Sequence, residues 1–379
     1  MRATHGAGPT GILTAAVLFG LALLPSCAST RPEKVVYSSE DLRRELRQRL
    51  GPQRAEHVII PFEISRSLQQ LARDETLGQT RVWGKLDQLS LVLTDPAELG
   101  LEYDRDRTYS AEGAFAERRG DCLSLTNLYV GLARSLGISV YYVEALQRGD
   151  YGTEGELTVE YRHICAGYGT GSETMVYDFD RVGPGISRYR VLTDLEAMAR
   201  FYNTLGYQEL RKESVIAATE HFETAALLDP ESPWAANNLG VAYERQGRLE
   251  LAANFFRRAI DLDPEYAAPY GNLARVLRAQ GDEKAAAKMV ARRAELRARD
   301  PVPDYRRGVA QLPAEPRKAI ESFRRALDLD REFVQARIGL ARAYLALGDY
   351  DAAERQVRRA LRQSPHNKEA EELLATIGK

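Results

Sequence analysis

The sequence predicts an α+β domain, in which a cysteine-bearing helix packs on an antiparallel sheet, followed by an all-α superhelix of repeated helix pairs. Two observations carry this reading. Between Gly120 and Asp180, a helical run headed by Cys122 precedes two extended runs that hold His163 and Asp178. From Phe201 onward the chain repeats at about 34 residues, a period that belongs to stacked helix pairs. A third observation, an apolar leader at the N-terminus, bears on where the chain works.

Residues 1–26 read as a secretory signal rather than as part of the fold. One Arg precedes an apolar stretch from Ile12 to Leu24, and Leu24-Pro25-Ser26-Cys27 then has the form of a lipobox. The stretch is shorter than the roughly 18–20 residues a membrane-spanning helix needs. Plain secretion and an uncleaved anchor are the competing readings. On the lipobox reading Cys27 becomes a lipidated N-terminus, and residues 27–40 a tether. Each buried methylene of the acyl chains adds about 0.8 kcal/mol, so several chains give stable attachment. This segment resembles the leaders of bacterial lipoproteins. With Ala28 after the cysteine, the resemblance implies a lipid-anchored, periplasm-facing protein of the outer membrane. The near balance of 52 Lys and Arg against 54 Asp and Glu gives no signature of nucleic-acid binding for the chain as a whole.

The chemistry begins at Arg118-Arg119-Gly120-Asp121-Cys122, which reads as loop, then cap, then helix. Cys122, Leu125, Leu128, Tyr129, Leu132 and Leu136 recur at helical spacing before Gly137, an amphipathic pattern. A sulfur in the first turn meets the positive end of the peptide dipoles, which favours thiolate over thiol. Leu157–Tyr168 and Thr174–Asp180 read as two strands, with the turn-forming Gly169-Thr170-Gly171-Ser172 between them. A hairpin centred between Thr170 and Gly171 sets His163 directly opposite Asp178, with Cβ atoms about 4.5–5.5 Å apart. It sets Tyr161 opposite Asp180, which makes Asp178 the better carboxylate to orient the imidazole. A slip of one residue would destroy this pairing.

The segment Gly120 to Ile138, then Arg162-His163-Ile164-Cys165, then Val176-Tyr177-Asp178-Phe179-Asp180, resembles the transglutaminase-like superfamily of papain-like cysteine enzymes. The similarity spans roughly Tyr103 to Asp180, within a domain assigned to residues 41–198. It implies Cys122 as nucleophile, His163 as general base and acid, and Asp178 as the residue that fixes the imidazole. The reaction it implies is thiol acyl transfer, either peptide or amide hydrolysis or transamidation, with no cofactor and no metal. Ile164-Cys165 stands where an aromatic often follows the family's histidine. The alternative is a catalytically idle fold that serves as an adaptor or scaffold lipoprotein. An arylamine acetyltransferase-like reading shares the residue order but requires coenzyme A, which an exported protein does not meet. Cys122 as a buried structural thiol is the bland alternative. Cys165, two residues from His163, leaves the same strand face. It is a quiet packed thiol or, less favoured, a disulfide partner of Cys122. A metal site built from His163, Cys165 and Asp178 lacks a second histidine at ligand spacing.

In the second half, Ala218, Ala252, Ala286, Ala319 and Ala353 recur once per repeat, each followed four residues later by Phe222, Phe256, Val290, Phe323 or Val357. Gly247, Gly281 and Gly348 mark turns, and Pro230, Pro264 and Pro365 end second helices. Five units start near Ala199, Pro233, Ala267, Pro301 and Val334, filling residues 199–367, with a capping helix in residues 368–379. This array resembles the tetratricopeptide repeat (TPR) family, which implies a groove that recruits a protein or peptide partner. Arg257-Arg258, Arg324-Arg325 and Arg358-Arg359 share repeat positions, with Arg292-Arg293 one place further on. They read as a solvated face, with Asp261 and Asp328 as partners four residues on, or as a basic ridge toward anionic lipid or an acidic partner.

Overall fold

A computed structural model describes residues 35–145, 151–154, 157–160, 163–170, 174–179, 189–365 and 367–378. The leader, Cys27, Tyr161 and Asp180 lie outside the described residues. No helix of the described residues is long and apolar enough to cross a membrane.

The first half opens with four helices, α1 (Ser39–Leu50), α2 (Pro52–His57), α3 (Arg66–Glu75) and α4 (Val82–Thr94). A two-residue parallel pair, β1 (Glu102–Tyr103) and β2 (Arg119–Gly120), brackets α5 (Ala111–Glu117) and leads into α6 (Cys122–Ser135). Then follow β3 (Tyr141–Ala145), the hairpin of β4 (Tyr151–Glu154) and β5 (Leu157–Glu160), β6 (Ile164–Tyr168), β7 (Met175–Tyr177) and β8 (Tyr189–Leu192). The main sheet has the order β7-β6-β3-β8 and is antiparallel throughout.

Helix α6 forms where the sequence places it, and its start is capped by Asp121, whose carboxylate accepts from the Ser124 N–H at 2.8 Å. Gly120 is required just before it, because a Cβ there would sit 2.5 Å from the Ser124 Cβ. The amphipathic reading of α6 fails: every residue from Leu123 to Ala133 is buried. Helices α3, α4 and α5 and strand β6 surround it, so it is a central helix without a wet face.

The expected single strand Leu157–Tyr168 is broken. Residues 157–160 pair with β4, whereas 164–168 join the main sheet. The hairpin register also differs from the sequence reading. The pairs Ala166↔Tyr177, Gly167↔Val176 and Tyr168↔Met175 place Cys165, not His163, at the register position opposite Asp178. The connection runs from Gly169 to Thr174, longer than a tight turn, and the pairing slips by two residues. A slip of two keeps every side chain on its own face, so His163 and Asp178 still share a side and now meet diagonally.

The repeats are α7 (Asp194–Arg211) with α8 (Val215–Leu228), α9 (Pro233–Arg245) with α10 (Leu249–Leu262), α11 (Ala267–Ala279) with α12 (Glu283–Ala298), α13 (Val302–Gln311) with α14 (Pro316–Leu329), and α15 (Val334–Ala346) with α16 (Tyr350–Gln363), closed by α17 (Lys368–Ile377). Phe222, Phe256 and Phe323 are fully buried, each contributing about 1.5–3 kcal/mol of burial. Each lies against a glycine of a first helix. A Cβ on Gly240 would stand 2.6 Å from the Phe256 ring, which is why the recurring small residues permit close stacking.

The two halves are not separated by a linker. Residues 34–379 cluster as one unit, and the expected boundary at 198/199 falls inside α7. One hydrophobic core runs from Leu42 through α6 and the sheet to Trp234 and Ala235 of the second repeat. Glu144 of β3, fully buried, accepts from Arg200 of α7 at 2.7 Å and from Arg190 of β8 at 3.2 Å. The Arg200 guanidinium also stacks 4.0 Å over the Trp234 ring. Arg134 of α6 forms a two-pronged pair with Asp194 of α7, at 2.7 and 3.0 Å.

Candidate active site

Cys122 is the first residue of α6 and is partly exposed. Of the first-turn backbone donors, the Ser124 N–H is taken by the Asp121 carboxylate and the Leu125 N–H by the Asp121 carbonyl. Among the described residues this leaves the N–H groups of Cys122 and Leu123, the first two of α6, without a partner inside the helix. Asp121 also receives hydrogen bonds from the hydroxyls of Ser124, at 2.5 Å, and Thr108. Burial pushes its carboxyl up from the ordinary value, and those bonds work in the opposite direction.

His163 stands at the mouth of β6, its carbonyl accepting from the Ala145 N–H at 2.9 Å. Its Nε2 lies 2.5 Å from Asp178 Oδ1. The Cys122 and Cys165 thiols both act on the same ring, after Asp178. Burial alone would lower the imidazole pKa. The Asp178 hydrogen bond, followed by those of Cys122 and Cys165, outweighs it and holds the ring protonated well above the ordinary range.

Asp178 is aimed by its neighbours. Tyr177 and Phe179 on either side pack on Tyr129 of α6, with ring centroids 5.0 and 5.2 Å away. Tyr177 donates to Asp87 of α4 at 3.0 Å, and Tyr129 donates to the Leu86 carbonyl at 3.0 Å. The strand end that carries the carboxylate is thus clamped to the helix that carries the sulfur. A second tie is Thr126, one turn after Cys122, whose hydroxyl donates to the Ile164 carbonyl at 3.1 Å beside His163. Sequence reasoning did not single out Thr126 or Asp87, and named Tyr129 and Tyr177 only within the helical pattern and the strand motif. The i,i+4 spacing of Cys122 and Thr126 was the available signal for one of them.

Cys122 and Cys165 are both free thiols, and Cys165 is fully buried. Burial pushes the Cys165 thiol up to about 12, so it is the quiet sulfur of the two. The ligand atoms of His163, Cys165 and Asp178 lie within 4.8 Å of one another. An ion seated there would have to displace the His163–Asp178 hydrogen bond. The expected partners of the arginine pairs also differ. Arg257 donates to Asn254 and Arg324 to the Tyr344 hydroxyl, rather than to the aspartates four residues on.

The transglutaminase-like superfamily matches residues 69–172, which include Cys122 and His163, and the tetratricopeptide repeat matches residues 233–266 and 315–377. No curated protein matches the chain in sequence. Among solved structures, a thermophilic TPR protein of Thermus thermophilus is similar at 24% identity, covering 47% of this chain and 98% of its own, with a TM-score of 0.26. The MamA 41-end chain from Desulfovibrio magneticus RS-1 is similar at 20% identity, covering 45% and 97%, with a TM-score of 0.26. YrrB, a TPR protein with an unusual peptide-binding site, is similar at 18% identity, covering 46% and 90%, with a TM-score of 0.25. The chain therefore carries a transglutaminase-like domain followed by tetratricopeptide repeats.

Proposed function

We propose that this chain is a lipid-anchored envelope enzyme that performs thiol acyl transfer on a protein or peptide, with its repeats recruiting the substrate or a partner. The observation that carries the reading is the 2.5 Å contact between His163 Nε2 and Asp178 Oδ1, on a ring whose pKa the Cys122 thiol also helps to raise. In the first step the Cys122 sulfur attacks a carbonyl carbon and forms a C–S bond. The oxyanion accepts from the N–H of Cys122 at the helix entrance. As the C–N bond breaks, His163 passes its proton to the leaving amine and a thioester remains. Water or an amine then attacks the thioester, gives a proton to His163 and expels the Cys122 sulfur. Water yields hydrolysis and an amine yields transamidation. Asp178 fixes the ring and stabilises its charge throughout.

The test is capture by a carbonyl electrophile in bacterial envelope fractions. Wild-type protein should form a covalent adduct at Cys122 that is lost in Cys122→Ala. An adduct of equal yield in that variant, or none with folded wild type, leaves the idle adaptor reading instead. The anchor is tested separately by metabolic palmitate labelling, which should disappear in Cys27→Ala. Labelling that persists in that variant removes the lipoprotein assignment without touching the chemistry.

A further inference from the structure

At the end of the repeat array, four arginines converge on one groove. Arg331 comes from the turn between α14 and α15, Arg337 from α15, and Arg359 and Arg362 from α16; Glu332 and Gln363 complete the lining. The groove has a volume of about 340 Å³. Its floor is built rather than incidental. Arg337 is only 8% exposed, and its Nε donates to Gln363 Oε1 at 3.1 Å. One terminal nitrogen of Arg337 and the Gln363 amide both donate to the Arg331 carbonyl, the latter at 3.0 Å. Among the described residues the second terminal nitrogen of Arg337, Nη1, makes no hydrogen bond.

Among the six lining residues, Glu332 is the one carboxylate against four guanidinium groups. Elsewhere in the repeats Arg292 pairs with Glu265 and Glu295, Arg325 with Asp304 and Arg358 with Glu354, while Arg257, Arg258 and Arg324 donate to Asn254, the Pro230 carbonyl and the Tyr344 hydroxyl. Among the described residues, no carboxylate lies within ion-pair distance of Arg331, Arg337, Arg359 or Arg362. Burial and the nearby Arg359 hold the Arg337 pKa below its ordinary value, with Arg362 adding to the effect against the pull of Glu332. A buried guanidinium crowded by its own kind is destabilising unless an anion joins it.

We propose that this groove binds a phosphate group, as free phosphate or as the phosphomonoester headgroup of a lipid. Guanidinium forks match phosphate oxygens in pairs. A phosphomonoester carries about −1.5 to −2 charge and three acceptor oxygens, against one charge and two oxygens for a carboxylate. Four arginines facing one glutamate call for the former. All six residues that line the groove are charged or polar. The proposal does not depend on the chemistry at Cys122.

The full chain is titrated calorimetrically with inorganic phosphate at fixed ionic strength, and sedimented with phosphatidylcholine vesicles with and without phosphatidic acid. The variants are Arg359→Gln/Arg362→Gln, both on exposed positions, and Arg245→Gln/Arg278→Gln as a distant change of equal charge. Binding should fall roughly a hundredfold in the first pair, about tenfold per lost charged contact, and stay unchanged in the second. Phosphate binding without vesicle binding assigns the site to a soluble phosphate. Vesicle binding that needs phosphatidic acid and is lost in the first pair assigns it to a lipid headgroup. Binding of neither probe by the wild type, or equal loss in both pairs, overturns the proposal. So does capture of a glutamate-rich peptide where phosphate fails.

Discussion

Asp178→Asn removes one charge from the site while preserving its shape, and its consequences follow from the geometry. The Asp178 and His163 side chains are 23% and 15% exposed, so solvent screens their contact only in part. A hydrogen bond to a charged group contributes about 1.5–3 kcal/mol, and one pKa unit corresponds to about 1.36 kcal/mol. The His163 midpoint should therefore fall toward its ordinary value of 6.5. Capture of Cys122 by iodoacetamide at about pH 8, where only a raised midpoint keeps the ring beside it protonated, should slow by about 10–10². Mass spectrometry of the labelled peptides reads the rate, and Cys165, buried and pushed up to about 12, serves as the unlabelled internal control. Unchanged Cys122 labelling in folded Asp178→Asn, or labelling of Cys165 as fast as Cys122, refutes the reasoning. The sign of the pH dependence is cleanest in Cys122→Ser, whose hydroxyl does not ionise. There the folded ring keeps a proton that the unfolded chain sheds near 6.5. The associated stability is full below that value and declines as pH rises toward the folded midpoint. Denaturation of Cys122→Ser against Cys122→Ser/His163→Gln should show this decline in the first protein alone.

Three further perturbations test the architecture. Thr126→Val leaves the Ile164 carbonyl without its 3.1 Å donor, which should cost about 1–3 kcal/mol in urea unfolding and slow Cys122 capture as helix and strand drift apart; unchanged capture would remove Thr126 as a positioning residue. Arg200→Met takes away a partner of the fully buried Glu144, and a loss of about 3–5 kcal/mol in thermal unfolding is expected, with earlier melting of the repeats if this contact couples the two halves. Gly240→Ala forces a methyl to 2.6 Å from the Phe256 ring and should destabilise by about 1–3 kcal/mol through overpacking. Gly247→Ala, at φ +74° with open space around it, should cost less and by backbone strain alone.

Periodicity made the repeats legible. Alanines, aromatics and turn glycines recur because each helix pair meets its neighbours through the same few positions, so four of the five repeats start within a residue of where the pattern put them, whereas the first begins at Asp194 rather than Ala199. Cys122 at a capped helix start was equally legible, since Asp121 and the run behind it are local signals. The joining of the halves was not. Nothing local announces that Glu144, Arg200 and Trp234 form one buried cluster, because such a contact exists only once the sheet and the first repeat have packed.

The sequence by itself determined the order of the parts, the helix that carries the sulfur, and the side of the strands on which His163 and Asp178 lie. Strand side follows from a period of two, which survives a slip of two residues. Tertiary structure alone decided the register, because the length of the connection and the packing of Tyr177 and Phe179 on Tyr129 select one pairing among several with the same alternation. It also decided which arginines of the repeats find a carboxylate and which converge without one. Charge balance is a property of neighbours in space, and the linear pattern treats all the arginine pairs alike.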